Sequence, residues 1–172
     1  MRHRLRTATP DDEPWQLAIY ASTRADELAL TGWPPEQCAA FVAQQHRAQQ
    51  QHYRQHYPRS VCQLILVSGA DGDDEVAGRL WVDARPGRLH VLDIALLPAW
   101  RGQGLGGECL RALASQADAA GLALGIQVEI HNPARRLYEQ LGFVADGAPQ
   151  GLYRAMLRPV TAQCPPAEEC LP

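Results

Sequence analysis

No lysine occurs anywhere in this chain; all 16 basic residues are arginine. A phosphate loop of the Gly-Lys-Ser/Thr kind is therefore excluded, and no acylation chemistry can modify a lysine of the chain itself. Cysteine is sparse and oddly spaced: Cys38, Cys62, Cys109, Cys164 and Cys170 form no C-x-x-C pair. That pattern suits neither a disulfide framework nor a zinc site, and the expectation is reduced thiols in a cytoplasmic protein. No apolar run approaches the ~18 residues of a membrane span. The first residues, MRHRLRTATPDDE, lack the apolar stretch of a secretory signal. Excess positive charge is missing too. A net charge of −3 and a pI near 6.0 argue against a general nucleic-acid binder, which needs a basic surface. The expectation is a protein with no nucleic-acid and no membrane partner.

What is present is an ordinary globular composition. Apolar residues make up 46% of the 172, enough for a core. The length suits one domain, expected over residues 1–159, with a proline-rich, flexible tail over 160–172. RLRTATP (4–10) reads as a short strand. From Asp11 the spacing of Trp15, Ala18, Ile19 and Ser22 turns helical. After the break at Thr31–Pro35, a second and very polar helix is expected from Glu36 to Tyr57. QLILVSG (63–69) and EVAGRLWVDA (75–84) read as strands around a DGDD turn, and RLHVLDIALLP (88–98) as a third. Leu105, Cys109, Leu113 and Ala117 mark one stripe of a helix over about 105–120. LALGIQVEI (122–130) is a strand. Asn132 and Pro133 open a short helix with the stripe Ala134, Leu137, Tyr138 and Leu141, closed by Gly142-Phe143. FVADG and GLYRAMLRP form a closing hairpin. The pattern predicts an α/β fold, a mixed sheet with helices on both faces.

The stretch WRGQGLGGE, Trp100–Glu108, carries four glycines, whose entropic cost calls for a reason. Gly102, Gly104 and Gly107 match the dinucleotide fingerprint G-x-G-x-x-G, with Glu129 at the place of a ribose-binding acid. Two features argue against that reading. Pro98–Arg101 separate the loop from its strand, and only 43 residues follow Glu129, too few for a two-half dinucleotide fold. What survives is an anion site: bare amides at a helix N-terminus, with Arg101 adding charge. A tight turn alone accounts poorly for four glycines beside an arginine.

Arg101-Gly102-Gln103-Gly104-Leu105-Gly106 resembles the R/Q-x-x-G-x-G/A signature of the GCN5-related N-acetyltransferase (GNAT) superfamily, and LDIALLP precedes it as that family's strand does. NPARRLYEQLGF (132–143) is similar to the family's second hallmark, a helix with Tyr followed by Gly-Phe. The resemblance covers about residues 60–158. It implies a mixed, mostly antiparallel sheet with helices on both faces and a splayed parallel pair. It implies acetyl-CoA as acyl donor, an amine as acceptor, and no metal; it allows a homodimer. The pyrophosphate would lie on the amides of Gln103, Gly104, Gly106 and Gly107. The pantetheine arm would lie along Ile94, Ala95 and Leu96, with a strand N–H near Leu96 for the oxyanion.

The same resemblance makes Tyr138 the candidate acid for the leaving thiolate, although its place on an apolar stripe also suits a core aromatic. Asn132 is either a helix cap or a cofactor contact; one residue fewer separates it from Tyr138 than in the family's commonest form. His90 and Asp93 are the candidate bases, and strand alternation puts them on opposite faces. His46, His52 and His56 invite a metal reading, but no H-E-x-x-H pattern or further ligand accompanies them, and a solvated helix face is preferred. Trp33, Tyr53 and Tyr57 are candidates for the wall of an acceptor pocket. The reading that emerges is an N-acetyltransferase acting on a small amine or a peptide N-terminus. Its rivals are a non-catalytic acyl-CoA-binding module and, further off, a dinucleotide oxidoreductase.

Overall fold

The computed structural model of the protein describes residues 3–69, 73–132 and 134–160. The chain gathers into two compact units. One draws on Met1–Ala84 and Val91–Glu108, the other on Arg85–His90 and Cys109–Pro172. The hydrogen-bonded strand order is β1-β2-β3-β4-β5-β7-β6.

In the first unit, β1 (His3–Thr7) pairs antiparallel with β2 (Ser60–Ser68), Leu5 opposite Ile65. β2 pairs antiparallel with β3 (Asp74–Arg85), and a bulge between Ile65 and Leu66 shifts the register. Only Pro86-Gly87 separates β3 from β4 (Arg88–Leu96), so these two form a hairpin. β2 buries Leu64, Ile65, Leu66 and Val67 in succession, which a strand does when both of its faces are covered. On one face, Leu64, Leu66 and Ala95 pack with Ile19 of α1 (Glu13–Ala29). On the other, the side chain of Leu96 reaches the first turn of α3 (Leu105–Ala119). Helices on both faces are thus present, as alternation along β4 requires.

The second unit holds β5 (Ala123–Glu129), β7 (Tyr153–Arg158) and the two-residue β6 (Val144–Ala145), with β7 antiparallel to both. β4 and β5 are neighbours joined through α3, which makes them the one parallel pair. The bidentate pair of Arg158 with Asp118 (2.6 and 2.8 Å) ties β7 to α3, and Arg158 Nε donates to the Leu141 carbonyl. No helix among the described residues is long and apolar enough to cross a membrane.

Several boundaries differ from the sequence expectation. β1 ends at Thr7, because Arg6 turns to Asp12 in a bidentate pair and the Asp12 carboxylate accepts the Thr9 amide. These bonds hold the Asp12 carboxyl well below the usual carboxylate range, the Arg6 bond being the largest cause. α1 buries Gln16, Ile19 and Tyr20, whereas Trp15 and Ala18 of the expected stripe are exposed. β4 stops at Leu96, and Pro98–Trp100 form one 3-10 turn. The start of the DGDD turn lies outside the described residues, and Asp74 already belongs to β3. Of the expected tail, only Val160 is described.

α2 (Pro35–His56) buries Val42, His46 and Gln50, one stripe at steps of four. Two of the three are polar, and they are satisfied. His46 is 1% exposed; its Nε2 lies 3.1 Å from Gln50 Nε2 and its Nδ1 3.4 Å from Glu13 Oε1. Gln50 donates to Glu13 and accepts from Arg54. Burial pushes the His46 imidazole below its ordinary pKa; Glu13 opposes the shift and Arg79 adds to it. The folded protein therefore disfavours protonated His46, while the unfolded chain takes up that proton near pH ~6.5. Stability held above that pH is lost as pH falls below it. In thermal melts between pH 7 and pH 5, His46→Gln is expected to lose less Tm than the parent, though it starts lower at pH 7. Parallel curves for the two proteins would show that His46 does not contribute to the acid sensitivity.

Candidate active site

The glycine loop is built by backbone conformation first. Gly102 and Gly104 have φ of +73° and +83°, in the left-handed region, and nothing lies within 4 Å of either missing Cβ. Glycine is needed there for its dihedrals and not for close packing. The first helical bond of α3 runs from the Glu108 N–H to the Gly104 carbonyl, 3.0 Å. The amides of Leu105, Gly106 and Gly107 thus stand in the turn where an α-helix has no internal acceptors, at the positive end of its dipole. Leu105 is buried and anchors this end. Gly106 differs from its neighbours. Its φ is not positive, and a Cβ there would meet only Leu96 Cδ1, at 3.7 Å. The fold tolerates a methyl group at Gly106.

Arg101 has another task than the one its sequence position suggests. Its Nε donates to the Leu96 carbonyl (2.8 Å), and its Nη2 to the Ser22 carbonyl and hydroxyl (3.0 and 2.9 Å). The guanidinium buckles the loop to the end of β4 and to α1. Gln103 folds back so that Nε2 donates to the Ala99 carbonyl.

The end of β4 approaches β3 closely. A Cβ built on Gly78 of β3 would stand 2.2 Å from the Ala95 carbonyl oxygen and 3.0 Å from Leu96 Cα, distances no side chain can occupy. Leu97 N–H meanwhile donates to the Ala77 carbonyl, 2.8 Å. Ala95 and Leu96, two of the expected donor-binding residues, thus lie where β4 approaches Gly78 of β3 closely, with Ile94 just before them. A lone glycine inside EVAGRLWV is the available sign of such a close approach.

Asp93 points to the helical face of the first unit. Arg79, 1% exposed, donates through Nε to Asp93 Oδ2 (2.7 Å), through Nη2 to Gln49 Oε1 (2.9 Å), and through Nη1 to the Gln16 carbonyl (3.4 Å). Its guanidinium carbon lies 5.9 Å over the Tyr20 ring. Tyr53 donates to the Leu92 carbonyl (3.2 Å) and packs edge-on against Trp81. Burial, and then the charge of Asp93, push the Tyr53 phenol far up. Sequence reasoning misses Arg79 and Gln49; a lone arginine between Ala77-Gly78 and Leu80-Trp81 is the visible signal.

The residues expected to form one acceptor wall do not share a pocket. Trp33 lines an apolar groove of about 540 Å³ between α1 and α2, with Leu17, Leu28, Cys38 and Val42. Tyr53 and Tyr57 stand at the other end of α2. His52 and His56 stack at 4.2 Å on the exposed surface there, apart from the buried His46.

In the second unit, His90 lies against β5: a Cβ on Gly125 would be 2.9 Å from His90 Nδ1. Tyr138 of α4 (Arg135–Gln140) is 5% exposed, its ring edge-on to Phe143 at 5.9 Å. Gly142, φ +86°, ends the helix, and the Phe143 amide returns to the Tyr138 carbonyl, as the Gly-Phe pattern predicts. Asn132 does not cap that helix. Ala134 occupies the cap position, and Asn132 Oδ1 accepts the Ala134 amide one turn earlier (2.8 Å); Pro133 lies outside the described residues. His131, Asn132, Arg135, Arg136 and Glu139 line a polar recess of about 270 Å³.

Comparison with known proteins identifies the family. The model of the acetyltransferase (GNAT) family matches residues 24–143. Among solved structures, the PaiA N-acetyltransferase of Thermoplasma acidophilum, in complex with coenzyme A, superposes with a TM-score of 0.66 at 13% identity, over 92% of this chain and 99% of that one. An acetyltransferase from Thermus thermophilus gives 0.63 at 23%, over 93% and 98%. The ribosomal-protein-S18-alanine N-acetyltransferase of Escherichia coli gives 0.59 at 18%, over 95% and 98%. At these identities the likeness in structure speaks for the fold, and the family match carries the assignment. With its glycine loop at the head of α3 and its Tyr-x-x-x-Gly-Phe helix end, this chain belongs to the GNAT acetyltransferase family.

Proposed function

We propose that residues 1–159 form a catalytic domain that moves the acetyl group of acetyl-CoA to a primary amine, on a small molecule or a peptide N-terminus, in a ternary complex. The observation that carries this reading is the first turn of α3. Its amides are unpaired by helix geometry, and glycine at 106 leaves them uncovered. That cradle fits a pyrophosphate. The donor-binding set is Gly102, Gln103, Gly104, Leu105, Gly106 and Gly107, with Arg101 holding the loop and Ile94–Leu96 taking the extended arm by strand-like hydrogen bonds. The 13% identical PaiA N-acetyltransferase is seen with coenzyme A, which supports an acyl-CoA donor.

The chemistry asked of the side chains is modest. The acceptor must lose a proton, its nitrogen bonds to the acetyl carbon, and the C–S bond breaks. The Leu96 N–H stabilises the oxyanion between those events. Tyr138 gives its phenolic proton to the thiolate. Of the two candidate bases, His90 is the better placed chemically. Asp93 has one oxygen committed to Arg79, and removing its charge would leave that guanidinium buried without a counterion. Asn132 is carried over from the family resemblance as a further polar contact of the donor.

Thermal shift separates donor binding from folding. Acetyl-CoA is expected to raise Tm and NADH to leave it unchanged, since a ligand of the native state stabilises it by mass action. Gly106→Ala should fold as well as the parent, or better by about 0.5–1 kcal/mol, because alanine suits a helix more than glycine. It should keep most of the acetyl-CoA shift, since the G/A of the signature admits alanine there, whereas the larger side chain of Gly106→Leu should abolish it. A Gly106→Leu variant that keeps the full shift would refute the backbone cradle. Gly104→Val is the weaker test, since a positive φ strains any side chain.

Tyr138→Phe keeps the ring against Phe143 and deletes only the hydroxyl. Near-parental stability and donor binding are expected, with kcat lower by roughly 10²-fold, the scale of one general acid. An unchanged kcat, where chemistry limits the rate, would return Tyr138 to a packing role. His90→Ala should depress kcat/KM most at neutral pH and least at high pH, where free amine is abundant. A loss independent of pH would mark His90 as structural. Stabilisation by acetyl-CoA with no turnover across an amine panel would leave a binding module in place of an enzyme.

A further inference from the structure

Gly78 is the most crowded of the glycines whose surroundings are described. Its φ lies outside the left-handed region, so conformation does not demand it. The demand is spatial: the position of its missing Cβ is taken by the Ala95 carbonyl oxygen at 2.2 Å, with Leu96 Cδ2 at 2.8 Å and Leu96 Cα at 3.0 Å. Two of these three atoms are backbone, so a rotamer change cannot clear them.

That carbonyl is half of a peptide plane whose other half is the Leu96 N–H. The peptide is planar and trans, so the C=O and N–H point in opposite directions. With Ala95 O seated over Gly78, the Leu96 N–H is aimed away from Gly78. The next peptide is held at both of its polar atoms: Leu96 O by Arg101 Nε (2.8 Å) and Leu97 N–H by the Ala77 carbonyl (2.8 Å). The Ala95–Leu96 peptide is turned with its oxygen toward Gly78, and the space there bounds how far that plane can rotate.

We propose that Gly78 is a positioning residue for acyl transfer: the space left by its missing side chain seats the Ala95 carbonyl and so aims the Leu96 N–H at the thioester carbonyl oxygen. The assignment rests on the acetyl-transfer reading above. A methyl group at position 78 must push the Ala95 oxygen outward by most of an ångström. The plane then turns, and the N–H turns with it. The amide cradle of the loop keeps its own conformation, set by Gly102 and Gly104.

The test uses acetyl-CoA carrying ¹³C at the acetyl carbonyl, bound without amine and read by difference infrared spectroscopy. In the parent protein a hydrogen bond from Leu96 lowers the C=O stretch below that of free acetyl-CoA. Gly78→Ala is expected to return the stretch most of the way to the free value. It should also lower kcat by roughly 10²-fold, the scale of one lost oxyanion donor, with CoA affinity within about threefold of the parent. A variant with the parental stretch and parental kcat overturns the proposal. So does a variant whose CoA affinity and kcat fall together while the stretch stays lowered, which is the mark of general structural damage. If Gly78→Ala does not fold, ¹⁵N-leucine spectra of the parent decide. The Leu96 amide proton should move downfield with acetyl-CoA and not with CoA, which lacks the carbonyl. Equal responses to both overturn the assignment. A parent that binds no acetyl-CoA at all removes the acetyl-transfer reading itself.

Discussion

The first unit is organised around one buried positive charge. Arg79 sits in the middle of β3 with almost no exposure, and a guanidinium cannot shed its proton to escape that cost. Its five N–H groups must find acceptors, and they are drawn from three other elements: Asp93 from β4, Gln49 from α2 and the Gln16 carbonyl from α1. Breaking a buried pair of this kind costs about 3–5 kcal/mol, a large share of the roughly 5–15 kcal/mol that holds a domain together. The composition of α2 follows. A helix with Gln49, Gln50 and His46 toward the protein looks wrong by hydropathy. It is right once the surface it covers contains an arginine and its counterion.

Glycine serves the site in two separate ways. Gly102 and Gly104 supply positive φ in open space, and they let the chain leave the 3-10 turn and enter α3. Gly78 and Gly106 have ordinary backbone and matter for what they leave uncovered. Both border Leu96, one from β3 and one from α3. Leu96 is thereby held by a slot on its side chain and by Arg101 on its carbonyl.

Local signals are legible along the chain. The stripe Leu105, Cys109, Leu113 and Ala117 is buried as its spacing predicts, because a helix packed on an apolar sheet must repeat near 3.6 residues. The Gly142-Phe143 ending forms as its sequence implies, since its bonds span only a few residues. The opposite parity of His90 and Asp93 also follows from strand geometry. The buried face of α1 does not follow its apolar spacing: Gln16 and Tyr20 are inside while Trp15 is out. Burial there follows Arg79, which lies 63 positions away in the chain.

The motif, the stripe of α3, the Gly-Phe helix ending and the family itself are thus properties of short stretches, where each residue's conformation answers to its near neighbours. What those stretches could not disclose is where long side chains and carbonyls go once distant strands meet. Arg101 reads as a phosphate ligand until Ser22 arrives beside it. Gly78 reads as a weak spot in a strand until the Ala95 carbonyl fills the space above it. Both outcomes depend on contacts that form only when the chain folds back on itself, and a rule of local spacing contains no term for them.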